Sequence, residues 1–208
     1  MESIFRILSR KQQVMNNINP HNLSYALRAL PNFTWPLKKY IMLKSLKHVG
    51  VNFKFGHNSY FSDHRLIEVG DNVFMGIDTF ISTNVSLRIG NDVMFGPRVT
   101  IIGGDHNFYT PGKPMRQVKK GGKNFPISIE NDVWIGSNVT ILKGVTIGEG
   151  CVIGAGSLVV KSLPPYSVCV GSPCKPIKLR FIDDDLSFHL KSVASKYNLQ
   201  QVKDLYEK

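Results

Sequence analysis

Long apolar runs are missing from this 208-residue chain: nothing approaches the roughly 20 residues that a membrane-spanning helix requires. The opening stretch, Met1 to Met15, lacks the apolar centre and small-residue cleavage site of a secretory signal. Cysteine is scarce, and Cys151, Cys169 and Cys174 have no metal-type spacing and leave an odd count, so a reducing cytoplasm is the natural setting. Acidic residues are also few, 15 against 26 lysines and arginines, which leaves a net charge of +11. Such a charge attracts nucleic acid, an anionic membrane surface or a phosphorylated small molecule. No recognised nucleic-acid motif is present, and the aromatics do not interleave with basic residues along a strand. Nucleic acid is therefore set aside in favour of an anionic cofactor or a membrane-bound anionic substrate.

What the chain does have is a ladder of apolar residues six apart. Ile129, Ile135, Ile141, Ile147, Ile153 and Val159 follow one another without adjustment. Upstream the same ladder reads Val49, Phe55, Phe61, then Val69, Met75, Ile81, then Ile89, Phe95, Ile101. A glycine usually follows each anchor, as at Gly50, Gly76, Gly136 and Gly154, and is expected to serve tight corners that are awkward for larger residues. Four residues after the anchor a second aliphatic residue recurs, as at Val73, Val93, Val133 and Val145. Each hexad builds one short strand and one corner, and three hexads make one turn of a triangular parallel β-helix. The expected architecture is all-β: about five coils over residues 49–165, a helical N-terminal cap over 1–48, and an extended segment with a helix over 166–208.

The flanks carry much of the charge. Arg6, Arg10, Lys11 and Arg28 stand among apolar positions with helical spacing, so the basic N-terminus reads either as a cap on the first coil or as peripheral contact with a membrane. Beyond Leu163-Pro164-Pro165 the repeat is expected to stop, because prolines donate no ladder hydrogen bonds. Asp183-Asp184-Asp185 then opens an amphipathic helix carrying Leu186, Phe188, Leu190, Val193 and Tyr197, its acids matched to the positive end of the helix dipole.

The ladder is interrupted after Phe61, Ile81 and Ile101, by two, two and twenty-two residues, always after the third hexad of a coil. The interruptions therefore stack at one corner of the prism. The longest, loop 102–128, begins Ile102-Gly-Gly-Asp-His-Asn-Phe108, and loops of that length in a compact fold carry function or are disordered. With coils about 4.8 Å apart, Thr83 and Asn84 fall one coil below Gly103 and Gly104, and Asp63 and His64 fall two coils below. His106 is thereby set beside Asn84 and Asp63 or His64, with Asp105 adjacent in the loop. An imidazole with pKa near 6.5 can take a proton from a hydroxyl at neutral pH. A catalytic zinc takes three protein ligands, and of the six histidines only His64 and His106 share this corner, so no metal is expected.

These features together resemble the left-handed β-helix, hexapeptide-repeat acyltransferases, and most nearly their O-acetyltransferases acting on sugars and surface polysaccharides. The resemblance covers residues 50–180. It is carried by Ile129-Glu-Asn-Asp-Val-Trp-Ile-Gly-Ser137, by Gly154-Ala-Gly-Ser157, by Lys161-Ser-Leu-Pro-Pro-Tyr166 and by Gly171-Ser-Pro-Cys-Lys-Pro-Ile-Lys178. It implies acetyl-CoA as co-substrate, a homotrimer with sites between neighbouring prisms, and His106 as general base. Relatives carry an asparagine one coil before that histidine, a position that falls on Thr83 or Asn84 depending on alignment, so Asn84 is the second catalytic candidate. It also implies Trp134 and Ser137 along a CoA groove, the Ala155 backbone on the pantetheine amides, and Lys161, Lys175 and Lys178 on the cofactor. Relatives have a threonine before the lysine where this chain has Val160 before Lys161. Asp63, His64 and Asp105 are left as acceptor-side residues.

The function expected is acetyl transfer from acetyl-CoA to a hydroxyl of a free or lipid-linked saccharide, in capsule, lipopolysaccharide or exopolysaccharide synthesis. The location expected is the cytoplasm, compatible with the inner face of the membrane. Rival readings are an N-acetyltransferase acting on a nucleotide-linked amino sugar or other small amine, a zinc hydratase on the same coil, and a non-catalytic scaffold. The loop's basic residues, Lys113, Arg116, Lys119, Lys120 and Lys123, point to a part in choosing the acceptor.

Overall fold

The structure is a computed structural model in which residues 39–119, 121–123 and 125–207 are described. The chain divides into two compact units, Met1–Lys44 and Ser45–Lys208. Of the first, only residues 39–44, a helical stretch, are described. The amphipathic basic N-terminus inferred from sequence thus lies outside the described residues. No described helix is long and apolar enough to cross a membrane.

Short strands separated by corners make up the second unit. The first coil is β1 (His48–Val49), β2 (Lys54–Phe55) and β3 (Tyr60–Phe61); the second is β4 (Ile67–Val69), β5 (Phe74–Met75) and β6 (Phe80–Ser82). The third is β7 (Leu87–Ile89), β8 (Met94–Phe95) and β9 (Thr100–Ile102), and the fourth, after the long loop, is β10 (Ile127–Ile129), β11 (Trp134–Ile135) and β12 (Thr140–Leu142). The fifth is β13 (Thr146–Ile147), β14 (Val152–Ile153) and β15 (Leu158–Val159). First, second and third strands of successive coils pair in parallel, giving three faces in the orders β1-β4-β7-β10-β13, β2-β5-β8-β11-β14 and β3-β6-β9-β12-β15. The register is one hexad on the next: Phe61 lies beside Ile81, Ile81 beside Ile101, and Ile101 beside Ile141.

Stacking equivalent residues is what makes the interior apolar. Phe55, Met75, Phe95, Ile135 and Ile153 line the second face from inside, and Phe61, Ile81, Ile101, Ile141 and Val159 line the third, all buried. Full burial of such a side chain contributes about 1.5–3 kcal/mol. Val49, in the first strand of the ladder, is only half-buried.

Three details differ from the sequence reading. First, the glycines that follow the anchors are not the residues with left-handed backbone. Those are Asn52, Asn72, Asp92 and Asp132 at the first corner and Asn58, Asp78, Arg98 and Asn138 at the second, each with φ between 54° and 59°. In the fifth coil Gly150 and Gly156, with φ of 72° and 74°, take the same two places. The glycines are required by close approach instead: a Cβ on Gly76 would lie 2.6 Å from the Gly96 carbonyl, and one on Gly70 would lie 2.7 Å from that of Gly90. Second, the repeat does not stop at the tandem prolines. Leu163 still bridges Ile147, and β16 (Ser167–Gly171) pairs in parallel with β14 before a hairpin returns as antiparallel β17 (Cys174–Leu179), which completes a partial sixth turn. Pro164 and Pro165 are tolerated because no coil follows above them on the first face, so the N–H groups they lack leave no acceptor unpaired. Third, α1 (Asp183–Ser192) buries Leu186 and Leu190 but leaves Phe188 74% exposed, and Tyr197 lies beyond its end. At 100° per residue, Phe188 falls opposite the Leu186–Leu190 stripe.

The far end of the ladder is closed by this C-terminal region. Tyr166, Leu186, Leu190 and, from α2 (Leu199–Tyr206), Val202 form one buried cluster, and the Tyr166 hydroxyl donates to Glu149 Oε1 at 2.6 Å. At the first corner Arg180 Nη1 donates to Asp132 Oδ2 at 2.6 Å, tying the segment after the hairpin to the coils. Gly76→Ala, which forces a Cβ against the backbone of the next coil, should lower stability by about 1–3 kcal/mol in chemical denaturation, whereas Gly112→Ala, whose Cβ meets nothing within 4 Å, should act only through its positive φ.

Candidate active site

The three interruptions do stack at the third corner, between the third face and the first face of the following coil. In the first coil the insertion is a short turn, His64–Leu66, capped by the Asp63 carboxylate. One coil up, the buried Thr83 is held within the corner: its backbone N–H donates to Ser62 Oγ at 2.8 Å, and its hydroxyl donates to the Val85 carbonyl at 2.7 Å. The next coil leaves no room above it. A Cβ on Gly103 would sit 2.1 Å from Thr83 Oγ1, whereas one on Gly104 would clear the Asn84 amide by 3.6 Å. The register that left Thr83 and Asn84 open as alternatives therefore separates them: Thr83 faces inward, and Asn84 is exposed directly beneath the start of the loop.

From this platform the loop is braced at both ends by one cation. The Asp105 carboxylate accepts from the His106 backbone N–H at 2.8 Å and from the Lys143 ammonium. Lys143 also donates to the Lys123 carbonyl at 2.6 Å, the Gly122 N–H donates to the Asp105 carbonyl at 3.3 Å, and the Gly144 N–H donates to that of Phe125 at 3.2 Å. A Cβ on Gly122 would come within 2.9 Å of the His106 carbonyl, so the returning limb passes hard against the outgoing one. The Lys143 ammonium holds the Asp105 carboxyl below the usual carboxylate range; the His106 N–H acts in the same direction, against a desolvation that raises it. His106 itself projects exposed from the segment this brace fixes.

The remaining sequence-derived residues divide between two places. Asp63 and His64 do lie at the third corner, but Asp63 is engaged by Arg65 through two 3.0 Å bonds, and His64 Nδ1 lies 2.6 Å from Ser45 Oγ. Lys161 is exposed at the same corner, near the top of the ladder. Trp134 stands outward on the second face, 52% exposed, in a register line that runs Trp134, Val152, Val168, Lys178. Lys175, opposite Val170, lies on the same hairpin. Ser137 and Ala155 sit on adjacent coils at the second corner, where the Gly156 N–H donates to the Ser137 carbonyl at 2.8 Å. Within one chain, the His106–Asn84–Asp105 group and the Trp134–Ser137–Ala155 group are thus at different corners, with the third face between them.

Lys143 was not singled out from sequence, although it organises the corner. The signal was present: Leu142 pairs with Ile102, so Lys143 stands one coil above Gly103 by the same register that located Asn84.

Comparison with known proteins places this fold among known transferases. The family model described as bacterial transferase hexapeptide (six repeats) matches residues 126–161. A galactoside acetyltransferase solved with coenzyme A is 31% identical, with a TM-score of 0.63 over 82% of this chain and 77% of that one. A maltose O-acetyltransferase from Clostridium difficile is 28% identical, with a TM-score of 0.63 over 84% of each chain. A hexapeptide-repeat acetyltransferase from Vibrio cholerae, solved with acetyl coenzyme A, is 26% identical, with a TM-score of 0.64 over 71% of this chain and 78% of that one. Among curated sequences, a Staphylococcus aureus protein assigned as an acetyltransferase is 49% identical over 82 residues, a match that spans 38% of this chain and 40% of the relative.

Lys143→Met removes the shared cation and should free both limbs of the loop. The expected result is faster amide exchange across residues 105–123 and an Asp105 carboxyl that titrates higher, each read by NMR. Because the native pKa is depressed, the brace's contribution to stability is present above the carboxyl's unfolded pKa and is lost as pH falls through its folded value. In Lys143→Met that acid-side dependence should flatten.

Proposed function

The chain belongs to the hexapeptide-repeat acetyltransferases, and from that premise we propose that it transfers the acetyl group of acetyl-CoA to a hydroxyl of a saccharide acceptor, with His106 as general base. In this reading the His106 imidazole takes the hydroxyl proton as the oxygen attacks the thioester carbonyl. The C–S bond breaks, coenzyme A leaves as the thiol after receiving that proton, and the acetyl ester forms, with no acyl-enzyme. The observation that supports it best is the braced third corner, which presents an exposed imidazole from a fixed backbone two residues after Gly104, itself over Asn84. Asn84 would orient the acceptor or the base, and Asp105 would act as a positioning residue through the His106 N–H. The hydroxyl, rather than an amine, is favoured by the maltose and galactoside enzymes among the structural relatives.

The cofactor is assigned to the other group. Trp134 offers an exposed ring, Ser137 and the exposed Ala155 backbone offer polar atoms along one corner, and Lys175 and Lys178 offer positive charge for the phosphates of CoA, as point charges without the bidentate geometry of arginine. Since the two groups occupy different corners, a homotrimer in which the third corner of one subunit meets the second corner of its neighbour would complete each site. Capsule, lipopolysaccharide or exopolysaccharide synthesis at the inner face of the membrane is the setting proposed.

His106→Ala should lower kcat by about 10²–10⁴-fold while leaving the KM for acetyl-CoA little changed; near-normal turnover would overturn the assignment of the base. Trp134→Ala should raise the KM for acetyl-CoA. Co-folding these two impaired variants should recover activity above either alone, because some interfaces would then pair an intact His106 with an intact Trp134.

A further inference from the structure

The long loop is charged out of proportion to what neutralises it. Residues 103–126 contain five cations, Lys113, Arg116, Lys119, Lys120 and Lys123, and one acid, Asp105. That acid is already held by Lys143, a cation from outside the loop. Lys113, Arg116, Lys119 and Lys123 are all exposed, and the ion pairs among the described residues involve none of them. Like charges concentrated on one loop repel each other and lower its stability unless an anion is supplied.

Lys123 is the best placed of them. Its backbone carbonyl accepts from Lys143, and the preceding Gly122 packs against the His106 carbonyl, so the backbone that carries this side chain is fixed beside the proposed base. The cofactor candidates Trp134, Lys175 and Lys178 belong to the second face and its hairpin. Within one chain the third-corner cations thus stand apart from the cofactor group, on the side of His106 where the other reactant would enter.

We propose that the acceptor is an anionic saccharide, carrying a carboxylate or phosphate near the hydroxyl that is acetylated, and that Lys123, with Arg116, selects it. This rests on the acetyl-transfer reading above but adds a charge requirement which that reading does not contain. A neutral glycoside would find His106 and Asn84 but would leave the loop cations uncompensated. An acceptor bearing negative charge would close the loop's electrostatic deficit and approach faster at low ionic strength.

The test compares a neutral glycoside with the matching uronic-acid glycoside and the matching sugar phosphate. Acetyl-CoA turnover and calorimetric binding are both measured, at low salt and at about 0.5 M salt, where the screening length falls to a few ångströms. The expected result is a preference of about tenfold or more for an anionic acceptor at low salt, largely lost at high salt. The two anionic arms distinguish carboxylate from phosphate. In a Lys123→Gln/Arg116→Gln variant the preference should collapse through a raised KM for the anionic acceptor, without a parallel rise in the KM for acetyl-CoA. The Lys123 side chain can be exchanged safely, because its backbone carbonyl makes the structural bond. Equal use of the neutral glycoside would overturn the proposal. So would a variant in which only the KM for acetyl-CoA rises, which would assign these cations to the cofactor phosphates. Failure of acetyl transfer to every acceptor would instead count against the proposed reaction, and the binding measurements would still decide the charge preference.

Discussion

Close contact between the backbone of one coil and the backbone of the next governs this molecule. Each strand donates to the strand one coil away, and that spacing admits no Cβ at positions such as Gly70, Gly76 and Gly103. From this follow the columns of identical side-chain roles, the buried Ile, Val and Phe ladders, and the Asn and Asp residues that turn the first two corners with positive φ. It also confines variation. The first and second corners are locked by backbone bonds repeating coil after coil, so additional chain can leave the ladder only where its departure and return are both paired, which is the third corner.

The same constraint explains how a loop becomes a candidate site. The loop limbs are joined to the scaffold by a single charged side chain that the ladder places one coil above the departure point. Lys143 links Asp105 on the outgoing limb to Lys123 on the returning limb, and Gly122 allows the two limbs to touch. Rigid β-structure beneath and a cross-brace above hold His106 in place although no strand contains it. The partition of Trp134, Ser137 and Ala155 to another corner is equally a consequence of period three, since residues on different faces of a prism do not converge within one chain.

Much of this is legible in the sequence, because a six-residue period fixes register and register fixes neighbours. The stacking of Gly103 on Thr83 and of Gly104 on Asn84 followed from counting alone. What was misread depended on detail finer than period. The glycine after each anchor is required by steric exclusion from the next coil, while the left-handed backbone falls two residues further on, mostly on Asn or Asp and in the fifth coil on Gly150 and Gly156. The tandem prolines looked like an end, because the sequence does not display that their N–H positions face no further coil. Lys143 went unnoticed because a lone lysine before a glycine carries no pattern, and its meaning appears only when Leu142 is laid on Ile102. Phe188 is apolar, but its angle on the helix sets it opposite the buried Leu186 and Leu190.

The brace between Asp105 and Lys143 joins residues 38 positions apart, with a whole loop and most of the fourth coil between them. During synthesis the chain emerges N-terminus first, and the ladder can grow coil upon coil as each hexad appears. His106 is made early, yet the brace across its loop is complete only when the fourth coil has closed and delivered Lys143. The scaffold is thus built in sequence order while its candidate site is finished retrospectively. A nascent chain carries three stacked coils and a loop without its brace before it carries the proposed base in position. The geometry of the candidate site is a late product of assembly, dependent on a residue to which no chemical part is assigned.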